Sequence, residues 1–223
     1  MSFWSAKVPS SLGLLSLFLV AAAPIATAEE YRPCADDAPR YTLRSQELRS
    51  LAAADQRDRE NNVLKPGAVE RDRSRRMRVG EIFGEGCMLS ADDFYSGAIV
   101  YQHGDRPEHY FQTYVWASRA VELGKKEARI WIALGIDRYL VSSGRKQLFA
   151  TQYSKPDLNP ETCWCLEQTE DAFPDERRNA TTGRTLSDAL SYLNELNKGL
   201  TCASKQCDKP LTDVAPGSLP GVW

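Results

Sequence analysis

Ionisable and amide side chains interrupt the apolar faces of three predicted helices in this sequence. An apolar stripe that begins at Leu48 continues, with the same helical period, into Asp55 and Arg59. Burying an ionised side chain is costly unless a partner compensates its charge. Buried networks of such groups either fix a fold or form a site. We therefore expect a shared polar cluster, and the three faces contribute to it Asp55, Arg59, Gln102, His103, Asp137 and Arg138.

A histidine beside a carboxylate can perform acid–base chemistry. An imidazole changes charge near neutral pH, and a neighbouring carboxylate fixes its orientation. The catalytic candidates are His103 with either Asp55 or Asp137 as its carboxylate, in a hydrolase-like enzyme. The sequence contains no Gly-x-Ser-x-Gly nucleophile elbow. The enzyme is therefore the alternative to a binding protein.

The sequence indicates no metal, no cofactor and no nucleic-acid partner. His103, Asp105 and His109 match no standard ligand spacing on a helix. The 28 basic and 30 acidic residues nearly balance, which excludes a strongly basic surface for nucleic acid. The locally basic run RDRSRRMR at 71–78 is interpreted as a solvated helix face rather than a phosphate site.

Helices joined by short turns must position these side chains. Ser45 and Ser90 are predicted N-caps, and Thr185 with Asp188 has the spacing of a capping box. No run of alternating strand residues is present, so the class is all-α. Helices are predicted over 47–62, 69–83, 91–103, 108–123, 126–142 and 186–196.

The helix pair between residues 108 and 142 suggests a known architecture. The stretch WASRAVELGKKEARIWIAL resembles the helical hairpins of Sel1 and tetratricopeptide proteins. The resemblance covers about one unit, and no second copy follows at a fixed period. We expect an irregular helical-hairpin domain over 45–207, with a long disulfide-stapled loop before the last helix. An extended leader at 29–44 and a flexible tail at 208–223 complete the expected organisation.

The first 28 residues predict export. Lys7 precedes an apolar run at 14–23, and small residues at Ala26 and Ala28 form a cleavage site, as in a secretory signal peptide. The run is too short for a bilayer, which needs about 20 residues. We expect a periplasmic or secreted protein with no stable membrane insertion after the signal is removed.

Six cysteines in the exported part predict disulfide bonds. They are Cys34, Cys87, Cys163, Cys165, Cys202 and Cys207. Cys163 and Cys165 are separated by one residue, and a bridge between them would be strained. We expect each to pair elsewhere, which leaves twelve of the fifteen connectivities open.

Five short motifs occur in a characteristic order. They are DQRDR (55–59), YQHG (101–104), DRYL (137–140), KQLFATQY (146–153) and DERR (175–178). Together they resemble an uncharacterised bacterial family of helical domains with the pattern DQ-x-x-R, QH, DR, a glutamine leading into Gly-Thr-Gln, and a late arginine. The resemblance covers about residues 48–196 and implies no established activity. This chain departs at Ala150, where the family has glycine.

The resemblance implies that further residues belong to one pattern with the polar cluster. Arginine presents two parallel donors to a carboxylate, and glutamine adds amide donors. The candidate ligand-binding residues are Gln56, Arg59, Gln102, Arg138, Gln147, Thr151, Gln152 and Arg178. We expect an unknown small ligand, peptide or partner protein, recognised through a carboxylate. A purely structural network, with the function on the outer surface, is the remaining alternative.

Overall fold

The computed structural model describes residues 33–60, 65–157 and 159–212. Helices dominate these residues, and the predicted all-α class is confirmed. The predicted signal peptide lies outside the described residues. The α-helices are α1 (Ala38–Arg57), α2 (Ala68–Gly84), α3 (Ala91–Gln102), α4 (Pro107–Glu122), α5 (Arg129–Ser142), α6 (Asp175–Thr182) and α7 (Leu186–Leu196). Two strands, β1 (Tyr153–Ser154) and β2 (Cys165–Leu166), pair antiparallel.

Helix α1 begins at Ala38, eight residues earlier than an N-cap at Ser45 predicts. Asp37 is the N-cap and accepts the N–H of Arg40 at 3.0 Å, and Pro39 occupies the first turn, where its missing N–H costs nothing. The predicted extended leader is therefore wrong for residues 38–44. Ser45 is instead buried inside the helix, and its hydroxyl donates to Asp93 at 2.6 Å.

The two other predicted caps are confirmed. Ser90 and Asp93 form a capping box at the start of α3, and Thr185 and Asp188 form another at the start of α7. Each box satisfies helical N–H groups that would otherwise lack a partner. These local pairs fix where α3 and α7 begin.

Helices α3, α4 and α5 pack against one another closely enough to need glycine. A Cβ on Gly97 of α3 would lie 2.9 Å from the Trp116 ring of α4. A Cβ on Gly135 of α5 would lie 2.8 Å from the backbone nitrogen of Tyr114 on α4. Since backbone cannot yield as a side chain can, Gly135 fixes the depth at which α5, and Arg138 one turn later, sits against α4.

The segment between α5 and α7 is more ordered than its sequence indicates. It contains the β1–β2 pair and α6, which the sequence analysis placed in a loop. The three disulfides are Cys34–Cys87, Cys163–Cys202 and Cys165–Cys207. Cys163 and Cys165 thus pair elsewhere, as predicted. Disulfides of this number are typical of an oxidising compartment.

The predicted flexible tail is wrong for its first five residues. Lys209 forms an ion pair with Glu167, and the backbone N–H of Thr212 donates to Gly144 at 2.6 Å. The Cys165–Cys207 bridge holds the segment at 208–212 close to β2, which makes those contacts possible. Residues 213–223 lie outside the described part of the chain. Among the described residues, no helix combines the length and the apolar character that crossing a membrane requires.

Candidate functional site

A histidine–aspartate pair joins the end of α3 to α1. The Nδ1 atom of His103 lies 2.7 Å from Oδ2 of Asp55, whose side chain is fully buried. Gln56 donates to the same oxygen at 3.0 Å, and Arg59 donates to the other oxygen at 3.2 Å. A carboxylate can only accept, so Nδ1 of His103 carries a proton, and in the neutral imidazole Nε2 offers a lone pair. The structure thus brings His103 into contact with Asp55, one of its two candidate carboxylates.

Charged side chains on one face of α2 form ion pairs with the charged residues that follow α1. The guanidinium of Arg59 also forms an ion pair with Asp72, which in turn accepts from Arg75 at 2.6 Å. Arg75 and Arg71 both donate to Asp58 at the end of α1. Burial alone would raise the pKa of Asp72, but the hydrogen bonds from Arg59 and Arg75 hold it below its ordinary value.

This face corrects the interpretation of the basic run at 71–78. Asp72, Arg75 and Arg76 are each less than a tenth exposed, so the run is not wholly a solvated helix face. The sequence contained a signal for it. Asp72, Arg75, Arg76 and the core residue Val79 follow one another at intervals of three, one and three, which places them on one side of a helix.

Arg76 holds the turn that follows α3. Its guanidinium donates to the carbonyl oxygen of His103 at 2.9 Å and lies 3.1 Å from Asp105. The hydroxyl of Tyr110 donates to the carbonyl oxygen of Gly104 at 2.8 Å. These contacts fix the backbone of residues 103 and 104, and the contact with Asp55 fixes the imidazole ring itself.

Arg138 on α5 is a cation without an anionic partner. Its Nε donates to the amide oxygen of Gln152 at 3.0 Å, and its Nη1 donates to the carbonyl oxygen of Gln102 at 2.7 Å. The guanidinium lies 5.6 Å from the centre of the Tyr110 ring. No carboxylate in residues 33–60, 65–157 or 159–212 forms an ion pair with it. Burial lowers the pKa of Arg138, and the positive charge of Arg59 lowers it further.

Gln102 contributes a second unsatisfied group. Its side chain is 2% exposed, and its amide nitrogen donates to the carbonyl oxygen of Leu134 at 3.0 Å. Its amide oxygen is buried and accepts no hydrogen bond from any described residue. An unmet buried acceptor is costly, and each such group in a folded protein calls for an explanation.

Asp137 belongs to a different network from His103. Its carboxylate is fully buried and accepts the N–H groups of Leu148 at 2.8 Å, Phe149 at 3.0 Å and Thr151 at 3.0 Å. Burial raises the pKa of Asp137 to about 6, although these hydrogen bonds act to lower it. Because the 148–151 loop occupies both oxygens, the prediction that Asp137 could orient His103 is wrong.

Three predicted ligand-binding residues serve this loop. Gln147 is fully buried and binds the backbone of Gln152 and Glu167 through its amide. The hydroxyl of Thr151 donates to Asp137 at 2.9 Å. Arg178 is 3% exposed and its guanidinium is used by two carbonyl oxygens and a carboxylate of the chain. We therefore assign Gln147, Thr151 and Arg178 to the support of the loop rather than to a ligand.

Ala150 explains why a glycine suits its position. Its φ angle is +59°, the left-handed conformation that favours glycine. The conformation turns the chain so that the amides on both sides reach Asp137. This backbone geometry would account for a glycine at this position in the predicted motif, and the alanine found here adopts the same conformation.

The structure divides the predicted cluster into two parts. Asp137, Gln147, Thr151 and Arg178 build the 147–152 loop, and Gln152 at its end reaches Arg138. The remaining residues meet around the turn after α3, and we call them the α1–α3–α5 cluster: Asp55, Gln56, Arg59, Gln102, His103 and Arg138. Tyr110, which the sequence analysis did not select, joins this cluster through its ring and hydroxyl.

No family model, no curated protein and no solved structure matches this chain. The resemblances to the motif family and to Sel1 hairpins therefore stay predictions. The chemistry of the α1–α3–α5 cluster is therefore what indicates a function for this protein.

Proposed function

We propose that the protein is a binding protein that holds a carboxylate-bearing ligand at the α1–α3–α5 cluster. The observation that carries the proposal is Arg138, a largely desolvated guanidinium whose bonded partners are two neutral oxygens. Every other buried arginine of the two networks has a carboxylate or is saturated by carbonyl oxygens.

A ligand carboxylate would remove an energetic penalty that the free protein carries. A buried charge without a counter-charge is destabilising, and its pairing with a carboxylate gives a strong, geometrically specific contact. Arg59 is a second cation that would attract the ligand carboxylate. It is close enough to Arg138 for its positive charge to lower the pKa of Arg138. Nε2 of His103 can accept an N–H of the ligand, which suits an acylated amino acid or a peptide end.

A titration with a matched pair of small molecules tests this proposal. N-acetyl-alanine carries a carboxylate, and N-acetyl-alaninamide replaces it with a neutral amide of the same shape. We expect calorimetry to detect the acid and not the amide. Arg138→Gln should weaken binding of the acid about ten- to a hundredfold, the equivalent of one charge-assisted hydrogen-bonded pair.

Arg119→Gln is the control, because Arg119 is an exposed arginine paired with the exposed Glu122. It should leave the affinity unchanged. Equal binding of the acid and the amide, or equal effects of the two substitutions, would contradict a carboxylate site at Arg138. The purely structural alternative would then gain support.

The His103–Asp55 pair favours a second candidate function, acid–base catalysis in a hydrolase-like enzyme. Asp55 holds the imidazole at 2.7 Å and is itself fixed by Gln56 and Arg59. The test is turnover of N-acyl amino acid esters and amides by the wild type and by His103→Gln. Loss of a measured activity with an unchanged melting temperature supports catalysis, while activity that survives His103→Gln would exclude it.

We further propose export to the periplasm or the cell exterior, with cleavage after Ala28. The support is the signal-peptide pattern together with three disulfides in the described residues. Mass spectrometry of the exported protein should find Glu29 at its N-terminus and no thiol that reacts with an alkylating agent. Retention of Met1 would contradict this proposal.

A further inference from the structure

A cavity lies beside the turn that follows α3. Its volume is about 360 Å³, within the range of roughly 300–1,000 Å³ typical of small-molecule sites. Helix α2 forms one wall, and the start of α4 forms the other. The polar residues of its lining are Arg73, Arg76, Tyr101, Asp105, Arg106 and His109.

The walls of this cavity carry excess positive charge. Arg76 lies 3.1 Å from Asp105, but Arg73 and Arg106 form no ion pair with any carboxylate of the described chain. Three arginines against one aspartate leave two positive charges in excess. His109 adds no charge near pH 7.5, because burial and the neighbouring Arg76 lower its pKa.

The hydroxyl of Tyr101 is a further group in this cavity that could bind an anion. The Tyr101 ring packs edge-on against His109, with centroids 5.7 Å apart, and against Trp116, with centroids 4.6 Å apart. Its hydroxyl makes no hydrogen bond to any residue that the structure describes. Burial raises the pKa of Tyr101, so the hydroxyl keeps its proton and can donate.

Gly80 keeps that hydroxyl accessible. A Cβ at this position would lie 3.1 Å from the Tyr101 hydroxyl oxygen. Glycine in the interior of α2 weakens the helix relative to alanine. Glycine at position 80 therefore lowers the stability of α2 but leaves space next to the Tyr101 hydroxyl.

The N-terminal end of α4 also attracts anions. This helix of sixteen residues begins at Pro107, and its N-cap, Arg106, provides no side-chain acceptor for the first turn. The start of a helix carries partial positive charge from its unpaired N–H groups. The cavity lies at this end of α4, beside the unpaired arginines.

We infer that this cavity binds a small organic dianion of the phosphate monoester class. The phosphoryl oxygens would accept from Arg73, Arg106 and the Tyr101 hydroxyl, and two excess positive charges would match the ligand's two negative charges. The ester group would pack against the apolar wall formed by Met77 and the Tyr101 ring. The site is separate from the α1–α3–α5 cluster, although Arg76 contacts the turn between them.

The chain contains two histidines, and each reports on one site. His109 lines the cavity, and His103 belongs to the α1–α3–α5 cluster. Phenyl phosphate is the probe, since a phosphate monoester is largely dianionic at pH 7.5. In a proton NMR titration of the full chain, we expect saturable shifts of the His109 ring signals and unchanged His103 signals. Signals are assigned from His103→Gln.

Variants locate the binding groups. Arg73→Ala with Arg106→Ala should weaken phenyl phosphate at least about tenfold, because two charge-assisted contacts are lost. Tyr101→Phe should weaken it several-fold, and the ring packing is retained. Arg119→Ala, an exposed arginine of α4 outside the cavity, is the control and should have no effect.

The inference is overturned by either of two results. One is phenyl phosphate that shifts no His109 signal. The other is an affinity that the double variant and the Arg119 control lower equally, which would indicate general charge attraction. Measured at the His109 signals, benzoate, a monoanion with the same ring, should bind at least about tenfold more weakly than phenyl phosphate. Equal affinities would exclude the phosphate monoester class.

Discussion

Asp137 is the anchor of the 147–152 loop, and its replacement by asparagine should destabilise the protein strongly. The wild-type carboxylate accepts the N–H groups of Leu148 and Phe149 through Oδ1, and those of Phe149 and Thr151 through Oδ2. Asparagine keeps one acceptor oxygen and turns an NH₂ group toward these donors. In either orientation of the amide, the N–H of Leu148 or of Thr151 loses its partner.

The size of the effect follows from these losses. One unsatisfied N–H costs about 1–3 kcal/mol, and the remaining bonds each lose about 1 kcal/mol when their acceptor is no longer charged. The free energy of unfolding of Asp137→Asn should therefore fall by about 3–5 kcal/mol, which is a large part of the stability of a typical domain.

Urea denaturation of the oxidised protein at pH 7.5, followed by tryptophan fluorescence, measures this loss. Because the pKa of Asp137 is about 6, the carboxyl group is mostly ionised at that pH. Asp171→Asn is the matched control, since Asp171 is 81% exposed and its loss should change stability by under about 0.5 kcal/mol. A loss below about 1 kcal/mol for Asp137→Asn would refute the loop-anchoring role.

Three further outcomes follow from other contacts. Ala150→Gly should keep stability or raise it by up to about 1 kcal/mol, whereas Ala150→Val should lower it by more than about 2 kcal/mol, because a β-branched residue resists positive φ; chemical denaturation checks both. Asp58→Asn should destabilise the protein at pH 7, and the destabilisation should become progressively smaller as the pH falls below about 4. Hydrogen bonds from arginines lower the pKa of Asp58, so its stabilising contribution is present above about pH 4 and lost as the pH falls; urea midpoints across pH test it. Replacing Cys165 and Cys207 together by serine should cost about 2.5 kcal/mol, because with the Cys163–Cys202 bridge intact this bridge closes a ring of only about nine further residues. An unchanged thermal midpoint would contradict this.

The parts of the fold that the sequence predicts are those set by neighbours along the chain. The capping boxes at Ser90 and Thr185 involve residues three positions apart, and both are observed. The start of α1 was mistaken because Ser45 has the right type for an N-cap. Asp37 followed by Pro39 is the stronger local signal, and Ser45 is used by Asp93, 48 residues away.

The membership of the polar cluster was predictable, but its division was not. Asp55 and Asp137 both interrupt apolar helix faces, so their sequences alone give them equivalent roles. Only packing distinguishes them, because Asp55 meets an imidazole from α3 and Asp137 meets backbone amides of a loop. That loop has no hydrophobic period that a sequence pattern could detect. Hydrogen bonds from its backbone N–H groups to the buried carboxylate of Asp137 hold it in place.

Disulfide connectivity was likewise beyond local pattern. The residue between Cys163 and Cys165 excluded one bridge, and the structure realises one of the twelve remaining connectivities. The partners, Cys202 and Cys207, follow α7, so the choice depends on where that helix returns the chain. Local sequence does not determine that position.

The central claim is that Arg138 holds a ligand carboxylate next to His103, whose Nε2 accepts an N–H of the ligand. An NMR titration with N-acetyl-alanine tests this claim most directly. Arg138 has no anionic partner in the described chain, and His103 lies across the same turn. We predict saturable shifts of the His103 ring signals with unchanged His109 signals, and their loss in Arg138→Gln. Unshifted His103 signals up to about 10 mM ligand, where even a millimolar site is mostly filled, would contradict the account.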